Sequence, residues 1–319
     1  MEEIIKLQNE YEYGGIIFLI HDDGIRRNVA YLDDDERELM INAIIALNTD
    51  NKYGYSGERD DPIVGGVSYW FKQDEIHQAT HVHGGPAFLP WHRELCNRFE
   101  QLLRKYDDRL RLHYWDWTTD PLKSPDGKGG TVNLFTDKFM GNATGPVEEP
   151  LLSAGFYDPK ADPYRGDNAH DLAHSNPYDP PRILERAVGL NTDAPVSVIQ
   201  DSKAVELDTF PQMRILLENI HNYAHVYIGG TMGDQHTSFR DPFVFLLHSN
   251  VDRIFATWQL QPRNQWRLDP NRIYGSESDT KTTGLFPEAH IGITSPLEPW
   301  AGVNISGAEE GILETRPWA

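Results

Sequence analysis

Apolar residues recur with helical spacing in five stretches of the chain. The first, residues 33–47, has acidic residues in its first turn, where they favour the helix dipole, and one apolar face behind them. The second covers residues 67–79, and the third begins at Trp91. The fourth is Thr209–Ile228, and the fifth opens with Asp241-Pro242, an N-cap followed by proline in the first turn. This pattern predicts a mainly α fold.

Two regions lack this spacing. Gly14-Gly15 precedes a short apolar run that predicts a brief strand. Residues 120–191 are dense in Pro, Gly, Asp and Asn, too long for a simple turn and too aperiodic for regular structure. No repeat or linker divides the chain, so we expect one domain.

Composition excludes several classes of protein. With 319 residues, 39% of them hydrophobic and 24% charged, the chain is long enough for a core and ordinary for a globular protein. A formal charge of −20 argues against nucleic acid or an anionic membrane as partner. No apolar run approaches the length of a membrane span, and the start Met-Glu-Glu-Ile-Ile-Lys lacks signal-peptide features, which predicts a cytoplasmic protein.

Histidines cluster around a Gly-Gly-Pro turn between the second and third stretches. His77, His81, His83 and His92 lie within sixteen residues of sequence. Imidazole is the preferred nitrogen ligand of copper, zinc, iron and nickel, and a cluster of imidazoles is costly to bury without a metal or hydrogen-bond partners. The cluster therefore predicts a metal site.

A second group of histidines follows about 130 residues later. His221 and His225 stand at i and i+4, which places them on one helix face, and His248 lies on the next apolar stretch. Three histidines in each half predict two metal ions. A zinc hydrolase built on His221 and His225 is disfavoured, because the residue after the first histidine is Asn222 and not the glutamate that such enzymes use to activate water.

The two groups resemble the copper signatures of the tyrosinase and polyphenol oxidase family. The first is carried by His83, Phe88-Leu89, Trp91-His92-Arg93 and Glu100, and the second by Asp241-Pro242, His248 and Asp252. Tyr114-Trp115-Asp116-Trp117 lies between them, and the resemblance covers roughly residues 70–260. It implies a four-helix bundle core that holds two copper ions, with long ordered loops around it.

The resemblance also implies a set of ligands. The first copper ion would be bound by His77, His83 and His92, and the second by His221, His225 and His248. His81 is the alternative to His77, although it stands only two residues before His83. His170 and His174 have helical spacing but match no motif.

The implied activity is the oxidation of phenols and o-diphenols to o-quinones by O2, including the hydroxylation of monophenols. In hydroxylating relatives an Asn and a Glu orient a water molecule that deprotonates the phenol; Asn222 and Glu218 are the candidates here, and Val226 would line an apolar substrate entrance. Catechol oxidase and o-aminophenol oxidase are the alternatives, and a haemocyanin-like oxygen carrier is a third. A copper chaperone is a candidate partner.

The chain also departs from the family pattern. Leu247 replaces a frequent histidine, and Val244 replaces the Phe that commonly packs on the copper ligands. Cys96 is the only cysteine and has the position of a buried apolar residue, and because His81 stands two residues before His83 we expect no cysteine–histidine thioether. We expect Asp252 to form an ion pair.

About sixty residues follow the fifth stretch. We therefore expect a single domain over residues 1–319, without a C-terminal shielding domain, and an enzyme active as made.

Overall fold

Six α-helices run through the part of the chain that the computed structural model describes, which is residues 12–13, 16–17, 24–49, 69–79, 82–154, 156, 184–192, 195–235, 237–278 and 293. They are α1 (Asp34–Thr49), α2 (Tyr69–Ala79), α3 (Phe88–Tyr106), α4 (Val198–Glu206), α5 (Phe210–Ile228) and α6 (Phe243–Gln259). The mainly α prediction is confirmed, with each helical stretch at its predicted place within a few residues.

The strands are short and form three antiparallel pairs. These are β1 (Glu12–Tyr13) with β2 (Ile16–Ile17), β3 (Ser124–Pro125) with β4 (Thr131–Val132), and β5 (Thr144–Pro146) with β6 (Glu185–Ala187). β2 lies directly after Gly14-Gly15, where the sequence predicts a strand. Residues 120–154 and 184–191 of the aperiodic region wrap the helices as ordered loops with these small ladders.

Local sequence explains the ends of the last two long helices. α5 follows Thr209 and ends at Gly229, whose φ of 65° is a conformation that favours glycine. A Cβ on the next residue, Gly230, would lie 2.2 Å from the carbonyl oxygen of Glu185, so only glycine lets the chain pass here. α6 begins at Phe243 with Pro242 as its N-cap residue, one position later than the sequence predicts, and the preceding Asp241 carboxylate accepts a hydrogen bond from the Phe243 N–H at 2.9 Å.

α4 was not predicted from the periodicity. Ser197 caps its first turn through the Ile199 N–H, at 3.2 Å. Ala204 is its one fully buried residue among the nine, while Val198 and Ile199 are exposed at 60% and 65%. A helix that buries so little leaves no apolar stripe for the pattern to reveal.

α3 and α6 pack through aromatic side chains. The rings of Phe99 and Phe245 stack with centroids 3.6 Å apart, and Trp70 of α2 meets both rings edge-on at 5.8 Å. Cys96 is fully buried beside them, as the sequence predicts, and burial raises the pKa of its thiol. The three helices that hold His77, His92 and His248 therefore share one aromatic core.

Asp252 joins α3 and α6 through charges. Its carboxylate pairs with Arg93 of α3 and, at 3.0 Å, with Arg26, whose Nε also donates to Glu100 at 2.7 Å. The predicted ion pair of Asp252 is confirmed, but its partners are distant in sequence. The adjacent Arg253 instead lies near Asp201.

Among the described residues, no helix is both long and apolar enough to cross a lipid bilayer. Residues 279–292 and 294–319 lie outside the described part of the chain, so the single domain over residues 1–319 stays a prediction. The cytoplasmic location also stays a prediction.

Arg186 and Asp241 form a buried bidentate ion pair, at 2.6 and 2.7 Å, and their side chains are 1% and 0% exposed. We expect Asp241→Asn to lower the free energy of unfolding by about 3–5 kcal/mol, because it leaves the guanidinium charge uncompensated in the interior. Urea denaturation at neutral pH measures this change.

The matched control is Asp34→Asn in α1. Asp34 pairs with Arg37 but is 87% exposed. Because solvent screens such a pair, its loss is expected to change the free energy of unfolding by less than about 1 kcal/mol. Similar losses of unfolding free energy in the two variants would show that burial does not increase the contribution of the Arg186–Asp241 pair to stability.

The buried carboxyl group of Asp201 is expected to make the stability of the protein depend on pH. Burial raises its pKa to about 6, while Trp117 Nε1–H donates to it at 2.8 Å. Between pH 6 and 3.8 the folded chain binds more protons than the unfolded chain, so the cost of the buried charge is present above pH 6 and disappears as the pH falls. We expect Asp201→Asn to stabilise the protein by about 1–2 kcal/mol at pH 7.5 and to be neutral near pH 4, in urea titrations. The exposed Asp137→Asn is the control; a gain that does not vary with pH would contradict the assignment.

Candidate metal centre

The first group of histidines forms a triad at the meeting of α2 and α3. His77 lies in the last turn of α2, His83 in the turn between the helices, and His92 in the second turn of α3. The ring centroids are 5.1 to 5.7 Å apart, and one nitrogen of each ring lies within 4.8 Å of the others. The three histidines can therefore bind one metal ion.

The second group forms a triad between α5 and α6. His221 and His225 lie on one face of α5, and His248 faces them from α6. The Nε2 atom of His221 is 3.0 Å from that of His225 and 3.1 Å from that of His248. Its ring centroids lie 4.4 to 5.3 Å apart, on average closer together than those of the first triad.

Hydrogen bonds on the outer nitrogens set the orientation of four rings. The Nδ1–H of His92 donates to the Phe88 carbonyl at 2.8 Å, and that of His248 to the Val244 carbonyl at 2.9 Å. His225 donates in the same way to the Met232 carbonyl at 2.8 Å, and His221 to the Asn222 side-chain oxygen at 2.9 Å. With Nδ1 protonated, each Nε2 presents a lone pair to the interior, as metal-bound histidines do.

The environment keeps these rings uncharged. Burial, reinforced by the neighbouring histidines, holds the pKa of His77, His92, His221 and His248 well below the usual value. Burial lowers the pKa of His225 to about 4. The rings are thus neutral at physiological pH and available as ligands.

The chemistry of these nitrogens fits a metal ion. Lone pairs of three Nε2 atoms converge in the second triad, with no proton between them, which is unfavourable unless a cation lies among them. In the first triad, Nε2 of His92 and both ring nitrogens of His77 have no hydrogen-bond partner among the described residues. Uncharged imidazoles at both sites suit copper.

The two triads face each other. The rings of His92 and His248 stack with centroids 4.7 Å apart and planes 7° from parallel, and His83 lies 6.1 Å from His221. Two metal ions bound in the triads would therefore be close neighbours. This arrangement is a dinuclear centre between four helices, a common type of site in helical bundles.

The structure brings together all six histidines that the sequence indicates. His77 lies in the first triad, but its alternative His81 lies outside the described residues, as do His170 and His174, so the choice between His77 and His81 stays a prediction. Phe239 was missed: its ring stacks on His77 at 4.1 Å and lies 5.0 Å from His248. It lies outside both signatures, so no motif pointed to it.

Glu218, Asn222 and Val226 lie along α5 beside the second triad. Glu218 is buried; its Oε1 accepts from the Gly84 N–H at 2.5 Å and its Oε2 from Arg214 at 3.2 Å. Burial raises the pKa of Glu218, and those two bonds oppose the shift. Asn222 is exposed and accepts from His221, and Val226 is 39% exposed.

Comparison with known proteins agrees with this geometry. The model of the common central domain of tyrosinase matches residues 67–261, which is more than half of the chain. The tyrosinase of Streptomyces glaucescens is 29% identical over 245 residues, covering 74% of this chain and 82% of that protein. Hemocyanin 2 of Megathura crenulata is 28% identical over 246 residues, covering 75% of this chain but 6% of that protein.

A solved structure supports the same fold. A polyphenol oxidase variant from Thermothelomyces thermophila superposes with a TM-score of 0.55 at 22% identity, over 76% of this chain and 74% of that one. The family match, the helical core and the two facing histidine triads agree. The chain belongs to the tyrosinase family of dinuclear type 3 copper proteins.

Proposed function

We propose that this protein is a copper-dependent oxidase that uses O2 to convert phenols and o-diphenols to o-quinones. The observation that supports this most directly is the pair of buried, uncharged triads, with His92 and His248 stacked 4.7 Å apart across their boundary. When bound there, two copper ions supply O2 binding and two-electron redox chemistry. Similarity to tyrosinases supports the same activity.

In this proposal one copper ion is held by His77, His83 and His92, and the other by His221, His225 and His248. Each site has three protein ligands, which leaves coordination positions open. The hydrogen bonds on Nδ1 of four of these rings direct their Nε2 atoms inward, so the protein itself sets the orientation of those four ligands.

Hydroxylation of a monophenol also requires removal of the phenol proton. We assign this task to a water molecule oriented by Glu218 and Asn222, which stand at i and i+4 on α5. Oε1 of Glu218 accepts from Gly84 and Oε2 accepts from Arg214, and each oxygen keeps a further lone pair that can accept from water. The amide N–H groups of Asn222 can donate to the same water molecule, because its side-chain oxygen accepts from His221. Val226, half-exposed on the same helix, gives the entrance an apolar side that favours a neutral ring.

The alternatives within this class are a catechol oxidase and an o-aminophenol oxidase that lack monophenol hydroxylation. A haemocyanin-like oxygen carrier is a separate candidate, because the chain is also similar to hemocyanin 2. Such a carrier needs the same ligands but no access for a phenol. Copper binding alone therefore does not distinguish the candidates, and turnover does.

The metal content of histidine variants tests the ligand assignment. We expect the metal-free protein to bind two copper ions per chain, and His225→Asn to bind about one, because it removes one of three ligands from the second triad. Elemental analysis after desalting measures the ratio.

The matched control is His113→Asn. His113 is buried but lies outside both triads, where its Nδ1 accepts from the Arg27 N–H at 3.0 Å. This variant is expected to keep two copper ions. Two ions in His225→Asn, or one in the unaltered protein, would contradict the dinuclear assignment.

Oxygen uptake tests the activity. With the copper-loaded protein we expect O2 consumption on a catechol without any activator, and slower consumption on tyrosine, since hydroxylation adds a proton-transfer step. An o-aminophenol is the third substrate in the same assay. Uptake on catechol but not tyrosine would identify a catechol oxidase, and no uptake on any of the three would favour the oxygen carrier.

A further inference from the structure

The carboxylate of Glu218 links the two halves of the metal centre. Glu218 lies one turn before His221 on α5 and is 7% exposed. Its Oε1 accepts a hydrogen bond of 2.5 Å from the backbone N–H of Gly84, which is 134 residues away in sequence. Gly84 directly follows His83, so the helix of the second triad touches the backbone beside a ligand of the first.

His83 differs from the other five proposed ligands in the kind of segment that carries it. The other five lie on α2, α3, α5 and α6, where helix packing sets the place of each side chain. His83 lies in the turn of residues 82–87, which has no regular secondary structure, and Gly84 has a φ of 70°. Packing of helices does not by itself fix a ligand on such a turn.

Charged neighbours hold the Glu218 side chain in place. Arg214, one turn earlier on α5, donates to its Oε2 at 3.2 Å and also pairs with Glu277 at 2.7 Å. The side chains of Arg214 and Glu277 are 6% and 13% exposed. A carboxylate held in this way can act as a fixed acceptor for the Gly84 N–H.

We propose that Glu218 is a positioning residue that holds His83 in the first triad through the Gly84 N–H. The inference rests on the proposed function in that the bound metal is copper. It is additional to the orientation of water by Glu218, because it concerns the metal-free protein and the affinity of one site. Loss of a partner that orients a ligand typically weakens metal binding by about 10- to 100-fold.

Two conservative variants distinguish the role of the length of the Glu218 side chain from the role of its charge. Glu218→Gln keeps the length of the side chain and an oxygen that can accept from Gly84, but loses the charge. Glu218→Asp keeps the charge and can still pair with Arg214, but is one methylene shorter and does not reach Gly84. We expect Glu218→Asp to weaken one of the two copper-binding events by about 10- to 100-fold and to leave the other unchanged, with Glu218→Gln within about threefold of the unaltered protein.

The measurement is a titration of metal-free protein with Cu(I) against a competing chelator, after circular dichroism has shown that each variant is folded. Hydrogen exchange of the segment 82–88 in the metal-free protein gives a second readout, and faster exchange is expected in Glu218→Asp only. The control is Asn219→Ala, the exposed next residue on α5, which is expected to match the unaltered protein in both measurements.

Equal affinities in the Gln and Asp variants, a weaker Gln variant, or equal weakening of both binding events by Asp would each overturn the proposal. The assay uses neither phenol nor turnover of O2. A chain that binds two copper ions as expected but oxidises no phenol would therefore contradict the proposed function and leave the role of Glu218 intact.

Discussion

Convergence of uncharged nitrogen atoms in a buried space is the constraint on which this structure depends. In the second triad the Nε2 atom of His221 lies 3.0 Å from that of His225 and 3.1 Å from that of His248, and each ring has its proton on Nδ1. Acceptor atoms at this distance repel unless a cation lies between them. A metal ion can bind here only if the helices hold the three rings in these positions, so the supporting helices have to be rigid.

Part of the rigidity comes from joining two of the rings to the helices that bear them. His92 and His248 donate to the carbonyls four residues earlier, Phe88 and Val244, so ring and helix turn as one unit. Stacking of Phe99 on Phe245 then fixes α3 against α6, and the ion pairs of Asp252 with Arg26 and Arg93 close the same interface. Ring orientation therefore becomes a matter of helix packing, which a dense aromatic core determines well.

The sequence predicted what depends on local pattern, and missed what depends on contacts between distant segments. Five helices follow from apolar periodicity, and the two groups of histidines that form the triads follow from their clustering in the sequence and from the resemblance to the copper signatures. α4 was missed because it buries little beyond Ala204. Phe239 and the bond from Gly84 to Glu218 were missed because neither partner is close in sequence: the residues that meet are 162 and 134 positions apart. Asp252 shows the same division, since an ion pair was expected but its partners were not.

The two triads are held by different forces. The rings of the second have hydrogen bonds on their outer nitrogens to Asn222, Met232 and Val244. In the first, His92 has such a bond to the Phe88 carbonyl, His77 has no hydrogen-bond partner among the described residues and packs on the ring of Phe239 at 4.1 Å, and His83 lies on a turn. Stacking restricts the plane of a ring but leaves it free to rotate within that plane, whereas a hydrogen bond on Nδ1 fixes which nitrogen faces inward. The orientation of His77 therefore depends on the position of Phe239, which the segment before α6 provides.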